Sequence, residues 1–169
     1  MVEHDGALLG CSMPADLFYF RGHAWIRPEA AGTVRIGIDD LVARLAGAVD
    51  SIGMPKTGAR VRQGKPVVRI GRAGETVDVL SPIDGEVVAV NRTVVDSPGS
   101  MTTDPYGAGW LVMVRPVAAE SSLPQLMFSD AAIAWQKGEA TRLAGMFRSL
   151  VSTSDVRPAG RSRPGGRPL

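Results

Sequence analysis

Short runs of alternating apolar and polar residues fill most of the chain between positions 25 and 116. In a strand, side chains two residues apart share a face, so this alternation is typical of half-buried strands. The residues that alternate in this way include Val34, Ile36, Ile38, Val77 and Val79. Further apolar runs cover residues 87–90 and 110–114, and a turn-prone Ser-Pro-Ile-Asp-Gly segment stands at 81–85. Many short strands separated by such turns predict a mainly β domain, either a barrel or a sandwich.

Two segments show the three- and four-residue spacing of helices instead. Asp39 or Asp40 can accept backbone N–H bonds as the N-cap of a short helix that ends at Gly47. Its apolar face is predicted to hold Leu41, Val42 and Leu45. The second segment follows the strands, with Ser129 as a candidate cap and apolar residues recurring over 133–150.

These patterns divide the chain into four parts. Residues 1–18 form an N-terminal segment, 19–118 the β domain, 119–151 a C-terminal helical region and 152–169 a tail. The tail is rich in Arg, Pro, Gly and Ser and has no apolar periodicity, so it is predicted to be disordered. A length of 169 residues suits one domain with such appendages.

Charge is spread unevenly along the chain. The formal net charge is +2, but the tail holds four arginines and one acid, Asp155. Without these residues, the 19 basic and 17 acidic residues become 15 and 16, so the body is close to neutral. A basic tail on a neutral body is only a weak signal for nucleic-acid binding, and no nucleic-acid partner is expected.

The cysteine content and the apolar runs bear on location. Cys11 is the one cysteine, so the chain forms no internal disulfide and requires no oxidising compartment. No basic region followed by an apolar run opens the sequence, and the apolar runs are too short to span a bilayer. A cytoplasmic protein without a membrane segment is therefore expected.

No set of residues has the spacing of a catalytic or metal site. Cys11 and His23 could form a thiol–imidazole pair, but one cysteine and two histidines provide no metal spacing and no group to orient a base. Asp39 and Asp40 precede a helix, where capping accounts for them. Residues 71–74 (Gly-Arg-Ala-Gly) lack the Gly-Lys-Ser/Thr ending of a phosphate-binding loop. We expect neither a metal site nor enzymatic activity.

Several segments, in this order and spacing, resemble the H protein of the glycine cleavage system. They are 23–27 (His-Ala-Trp-Ile-Arg), 32–38 (Gly-Thr-Val-Arg-Ile-Gly-Ile), the predicted helix at 39–47, 81–87 (Ser-Pro-Ile-Asp-Gly-Glu-Val) and 104–111 (Asp-Pro-Tyr-Gly-Ala-Gly-Trp-Leu). The first two are similar to that family's opening strands, the fourth to its most recognisable turn, and the last to the motif before its last core strand. The resemblance covers roughly residues 19–116 and extends more loosely into the C-terminal helical region.

The resemblance implies the hybrid barrel-sandwich of lipoyl and biotinyl carriers, with a short internal helix and a C-terminal helical extension. Members of the family carry lipoic acid as an amide on a lysine at the tip of a hairpin. An exposed tip suits a group that must swing between active sites. The cofactor supplies the reactivity, and the protein supplies presentation and shelter.

The chain departs from the family at that lysine. The family's lysine lies seven residues before the serine of the Ser-Pro turn, and counting back from Ser81 leads to Gly74. The predicted tip is therefore Gly71, Arg72, Ala73 and Gly74, whose two glycines suit a tight turn. Arg72 cannot replace the lysine, because a guanidinium stays protonated and is not acylated. No lipoyl group and no other cofactor are expected on this tip.

Three lysines remain, namely Lys56, Lys65 and Lys137. The first two lie in turn-like segments before the hairpin, and the third lies in the C-terminal helical region. Each is more simply a solvated surface lysine than a relocated attachment site.

These features favour a binding module that has the H-protein framework but not its arm. Such a module would scaffold, regulate or compete within a lipoate-dependent or redox assembly of proteins. If the C-terminal helical region docks a partner instead of packing on the β domain, the candidate contacts are Met127, Phe128, Met146 and Phe147. The alternative is a working glycine cleavage H protein, an aminomethyl and electron carrier lipoylated at an unusual lysine. A third hypothesis is a structural subunit anchored by its C-terminal helices and tail.

Overall fold

The structure, a computed structural model, describes residues 13–128, 131–135, 137–139 and 141–142. The strands are β1 (Phe18–Phe20), β2 (Ala24–Pro28), β3 (Val34–Ile38), β4 (Ser51–Gly53), β5 (Arg60–Val61), β6 (Pro66–Arg72), β7 (Glu75–Leu80), β8 (Gly85–Val90), β9 (Val112–Pro116) and β10 (Leu126–Phe128). The helices are α1 (Asp40–Ala46), α2 (Arg92–Asp96), α3 (Ser100–Thr103) and α4 (Ala119–Ser122). Residues 131–135, 137–139 and 141–142 are also helical and are termed the C-terminal helical segment. Cys11, Met146, Phe147 and the tail lie outside the described residues.

Antiparallel pairing joins the described strands into two sheets. The larger sheet has the order β10-β1-β2-β3-β9-β8-β5, and the smaller has the order β4-β6-β7. Side chains from both sheets form one hydrophobic core, to which Ile36 and Val112 contribute from the larger sheet and Val68 and Val79 from the smaller. The predicted mainly β, barrel-sandwich architecture with a short internal helix is confirmed.

The alternation in β3 places its apolar side chains in the core as predicted. Val34, Ile36 and Ile38 are all buried. The second predicted pair behaves differently, because Val79 is buried while the side chain of Val77 is 65% exposed. The β6–β7 hairpin therefore extends past the end of the core.

Strand β2 is buried on both faces. Ala24 and Ile26 belong to the main core, whereas Trp25 belongs to a second cluster that includes Leu17, Tyr19 and Ala132. The indole N–H of Trp25 donates to the carbonyl of Pro105 at 3.1 Å. This bond brings together two of the segments that carry the family resemblance, 23–27 and 104–111.

Gly37 lies directly across the ladder from Trp25. A Cβ atom at residue 37 would overlap the indole ring, lying only 2.7 Å from its Nε1 atom. Contacts this short are repulsive, so the close packing of Trp25 on β3 requires glycine here.

Helix α1 begins and ends where the sequence predicts. The Asp39 carboxylate accepts a hydrogen bond from the Val42 N–H at 2.9 Å, so Asp39 is the N-cap. Gly47 follows the last turn with φ +62°, a conformation that glycine adopts most readily. The predicted apolar face is correct only in part. Leu41 is fully buried, whereas Leu45 is 47% exposed.

A strand lies within the predicted C-terminal helical region, just before the candidate cap Ser129. Residues Leu126–Phe128 pair with β1 as strand β10, and the ring of Phe128 lies 4.8 Å from that of Phe18. A three-residue strand at the sheet edge depends on the hydrogen-bonding groups of β1, which helical periodicity cannot reveal. The predicted boundaries at 18/19 and 118/119 therefore divide strands that belong to one sheet.

His23 links the C-terminal helical segment to the sheet. Its Nδ1 atom lies 2.8 Å from a carboxylate oxygen of Asp39, and its Nε2 atom lies 3.3 Å from one of Glu139. The ring centroid of Trp135 is 4.9 Å away. Burial on its own lowers the pKa of His23, but the hydrogen bonds and charges of Asp39 and Glu139 outweigh it and raise the pKa above 6.5. His23 thus has a structural role, because it joins the C-terminal helical segment to β2 and to the start of α1.

We expect Gly37→Ala to destabilise the fold by about 1–3 kcal/mol, because the new methyl group forces Trp25 or β3 to move. Urea unfolding followed by tryptophan fluorescence measures the loss. Gly53→Ala is the matched control, since its Cβ would meet a strand neighbour at an ordinary 3.6 Å. Equal midpoints for the two variants would show that Trp25 does not constrain residue 37.

The stability contributed by His23 should depend on pH. A raised pKa means that this contribution is complete below pH 6.5 and is lost as pH rises through the folded-state pKa. The pKa of Glu139 is lowered, first by its hydrogen bond to Arg142 and also by that to His23, so its contribution is lost only on acidification below pH 4.5.

His23→Asn should therefore reduce the fall in unfolding free energy between pH 6 and pH 9. Asparagine tolerates the left-handed backbone at this position, where φ is +70°. NMR titration of His23 in a Glu139→Gln control should show a lower pKa than in the unsubstituted chain. Identical pH profiles for the unsubstituted chain and His23→Asn would contradict the described contacts.

Candidate functional site

The β6–β7 hairpin ends in a two-residue turn at Ala73 and Gly74. Arg72 is paired with Glu75 across the ladder, and the two turn residues have φ values of +53° and +84°. Two consecutive positive φ angles are typical of the tight turns that match the twist of antiparallel strands. Of the four predicted tip residues, Ala73 and Gly74 form the turn, whereas Gly71 and Arg72 belong to β6.

Two hydrogen bonds to residues outside the hairpin hold this tip in place. The guanidinium of Arg72 donates to the carbonyl of Ala46, the last residue of α1, at 2.7 Å. A cation is favourable at a helix C-terminus, where carbonyl groups lack partners within the helix. The Asp50 carboxylate accepts a hydrogen bond from the Ala73 N–H at 2.9 Å. The tip is thus anchored to the body at two points.

There is space for a side chain at Gly74, but the backbone conformation there is unfavourable for any residue other than glycine. A Cβ atom built there meets nothing within 4 Å. Its φ of +84° lies in the left-handed region, which costs an L-residue roughly 1–2 kcal/mol. Gly74 therefore serves the turn.

A groove of about 560 Å³ separates helix α1 from the hairpin. Its apolar lining comes from Val42, Leu45, Ala46, Ile70 and Val77. Arg72, Ala73 and Glu75 line the groove near the tip.

Leu45 and Val77 account for much of the exposed apolar surface of this groove, at 47% and 65% exposure. Both residues have the spacing of core positions in the sequence, so the sequence does not reveal the groove. Their alternation and helical spacing matched those of buried positions, and the sequence contained no signal for where the core ends. An apolar chain is the kind of ligand that this lining suits.

None of the three lysines lies on the β6–β7 hairpin. Lys56 and Lys65 are exposed in turns, with the Lys56 carbonyl accepting from the Ala59 N–H and the Lys65 N–H donating to the Arg62 carbonyl. Lys137 is exposed on the C-terminal helical segment. Because Lys65 directly precedes the seven-residue strand β6, about 23 Å of strand separates it from the turn.

The structure separates the predicted partner contacts. Met127 packs against the second hydrophobic cluster, whereas Phe128 is 46% exposed at the edge of the larger sheet. Within the described residues, no cluster of three or more His, Cys, Asp or Glu side chains could hold a metal ion. None of the helices in these ranges has the length and apolarity needed to cross a membrane.

Comparison with known proteins relates this fold to a family. A family sequence model described as "Glycine cleavage H-protein" matches residues 17–138. The glycine cleavage system H protein of Marinobacter nauticus is 39% identical over 115 residues, which cover 68% of this chain and 88% of that protein. The glycine cleavage system H protein 2 of Aquifex aeolicus is 33% identical over 134 residues, covering 79% of this chain and 83% of its own length.

A crystal structure of a glycine cleavage system H protein from Mycobacterium marinum has the same fold. The two superpose with a TM-score of 0.64 at 33% sequence identity, covering 75% of this chain and 99% of that one. The matched residues contain the hairpin, helix α1 and the Trp25 cluster, so the described site lies within the shared fold. The chain belongs to the glycine cleavage H-protein family.

Proposed function

We propose that this chain acts as a protein-binding module on the H-protein fold and has no lipoyl group on its hairpin tip. Its setting is a lipoate-dependent assembly of the glycine cleavage type, in agreement with the names of its relatives. The observation that carries the proposal is Gly74. A glycine in a left-handed turn stands where the family's lysine is expected, and the flanking hairpin keeps its spacing to Ser81.

The anchoring of the tip supports this function. A lipoyl arm works by moving between sites, and it needs a lysine amine at an exposed turn. Here Arg72 is bound to the end of α1, and Asp50 holds the backbone of Ala73. These contacts give the tip a fixed shape, which suits recognition by a partner more than delivery of a group.

The chain is not an enzyme. H proteins serve other proteins as carriers and do not themselves catalyse a step, and the chain belongs to this family. Its partners are accordingly other proteins, with lipoate-dependent or redox enzymes as the proposed class. The proposed location is the cytoplasm.

A working H protein, with its arm on another lysine, is the second candidate. The comparisons taken alone favour it, because the relatives are named as glycine cleavage system H proteins. Lys56, Lys65 and Lys137 are all exposed and therefore accessible to a ligase. The positions of these lysines argue against it, since none of them belongs to the β6–β7 hairpin that turns at Ala73 and Gly74.

The mass of the intact protein, purified from its own host, decides between the two candidates. We expect the mass of the unmodified chain. A mass raised by a lipoyl or octanoyl group would contradict the first proposal and establish the second. Single replacements of Lys56, Lys65 and Lys137 by arginine would then show which lysine carries the group, because only one of them abolishes the added mass.

Restoring a lysine tests whether lipoate enzymes still recognise the framework. We expect Gly74→Lys to become lipoylated when it is co-expressed with a lipoate–protein ligase that modifies H proteins. The substitution should cost about 1–2 kcal/mol through its positive φ, with no steric clash.

Gly58→Lys is the matched control for this experiment. Gly58 also has a positive φ, of +94°, and open space around its Cβ position, but it lies in a different turn. We expect no lipoylation of this variant. If neither variant is modified, the chain lacks the surface that lipoate enzymes recognise. If both variants are modified, the ligase does not recognise the hairpin specifically.

A further inference from the structure

Basic residues are concentrated before the hairpin tip, in a stretch that contains no acids. Residues 51–74 include six basic side chains and neither aspartate nor glutamate. The six are Lys56, Arg60, Arg62, Lys65, Arg69 and Arg72. The chain as a whole has nearly as many acids as bases, 17 against 19, so this local excess stands out.

Two of the six have partners within the fold. Arg69 forms an ion pair with Asp78 at 2.8 Å, and Arg72 binds the end of α1. Both lie on β6, close to the tip. Both guanidinium groups therefore have a hydrogen-bond acceptor within the fold.

The other four cations are not paired in this way. Lys56, Arg60, Arg62 and Lys65 are exposed, and within the described ranges none of them forms an ion pair with a carboxylate. We term these four residues the basic edge. They lie on strand β5 and in the turns on either side of it, so like charges are held close together along one short stretch.

Two carboxylates near the basic edge, those of Glu86 and Asp84, also have other neighbours. Glu86 lies across the ladder from Arg60, but it also lies opposite Arg115 on its other side. A carboxylate oxygen of Asp84 accepts a hydrogen bond from the Gln63 N–H at 2.7 Å. Two carboxylates, one of them shared with Arg115, stand near four cations, so the basic edge keeps an excess of positive charge.

Strand β5 lies at the end of the larger sheet, where β8 is its partner in the ladder. Val61 is buried, and Arg60 and Arg62 on either side of it are exposed. Both arginines therefore point away from the core, with about 6.6–6.8 Å between their backbone positions in extended chain. Alternate side chains of an extended peptide have the same spacing.

We propose that the basic edge binds an extended acidic segment of a partner protein. Carboxylates at alternate positions of such a segment match Arg60 and Arg62, while Lys56 and Lys65 provide charge at the two ends. The outer edge of β5 offers backbone groups to the same peptide. Charge complementarity of this kind fixes register and speeds association.

A peptide fits this surface better than a single-stranded nucleic acid does. Binding of single strands combines a basic track with aromatic side chains that stack on the bases. Among the described residues, Phe128 is the aromatic side chain that is largely exposed, and it lies on β10 at the opposite end of the larger sheet. The basic edge is also separate from the hairpin tip, so this proposal does not rest on the absence of a lipoyl arm.

Fluorescence anisotropy with a labelled peptide of alternating glutamate and threonine tests the proposal. The same peptide with glutamine for glutamate is the neutral probe, and a single-stranded oligonucleotide of similar length is the competing class. We expect the full chain to bind the acidic peptide more tightly than either, with an affinity that falls as salt is added. Arg60→Gln/Arg62→Gln should weaken this binding by about fivefold to thirtyfold.

Arg21→Gln/Lys137→Gln is the matched control. It removes the same charge from two exposed positions on the β1–β2 side of the molecule, and it should change the affinity less than twofold. Thermal unfolding checks that both double variants fold, and the salt dependence of the unsubstituted chain provides a readout that needs no variant.

Three results would overturn the proposal. They are equal binding of the acidic and neutral peptides, an affinity of the unsubstituted chain for the acidic peptide that does not depend on salt, and equal weakening by the two double variants. Tighter binding of the oligonucleotide would reassign the basic edge to nucleic acid.

Discussion

The packing of Trp25 against Gly37 is the contact on which the rest of the structure depends. A fully buried tryptophan removes about 150–250 Å² from water, worth roughly 4–6 kcal/mol, and residue 37 must lack a side chain to allow it. The indole N–H then holds Pro105, and the neighbouring Tyr106 hydroxyl accepts a hydrogen bond from the Asp40 N–H at the start of α1. One buried ring thus positions the sheet, the loop before β9 and the helix beside the hairpin.

The hairpin tip depends on this arrangement although it lies outside the core. Helix α1 is placed by its cap and by Leu41, and its last carbonyl is then available to Arg72. The same placement leaves a gap between Leu45 and Val77 that the core does not fill. The groove and the anchored tip are therefore two consequences of one helix position, and both belong to the surface that a partner would meet.

Basic side chains have different environments at the two ends of β6. Near the tip, Arg69 pairs with Asp78 across the hairpin, and Arg72 binds the end of α1. Before β6, the four exposed side chains of the basic edge form no ion pair with a carboxylate among the residues that the structure describes. An anchored tip and a separate charged edge would offer a partner protein two distinct surfaces, as the proposed binding module requires.

The sequence by itself determined the features that depend on local chemistry. Alternation placed β3, Asp39 and Gly47 marked the ends of α1, and the two glycines of residues 71–74 suited a tight turn, because period, capping and turn preference act over a few residues. Only the tertiary structure decided which apolar residues lie beyond the core, as for Leu45 and Val77, and that Leu126–Phe128 pairs with β1. It also decided that Arg72 caps α1 and that His23 bridges to Glu139. These contacts join residues that are distant in sequence, and no local pattern encodes which distant group will lie beside them.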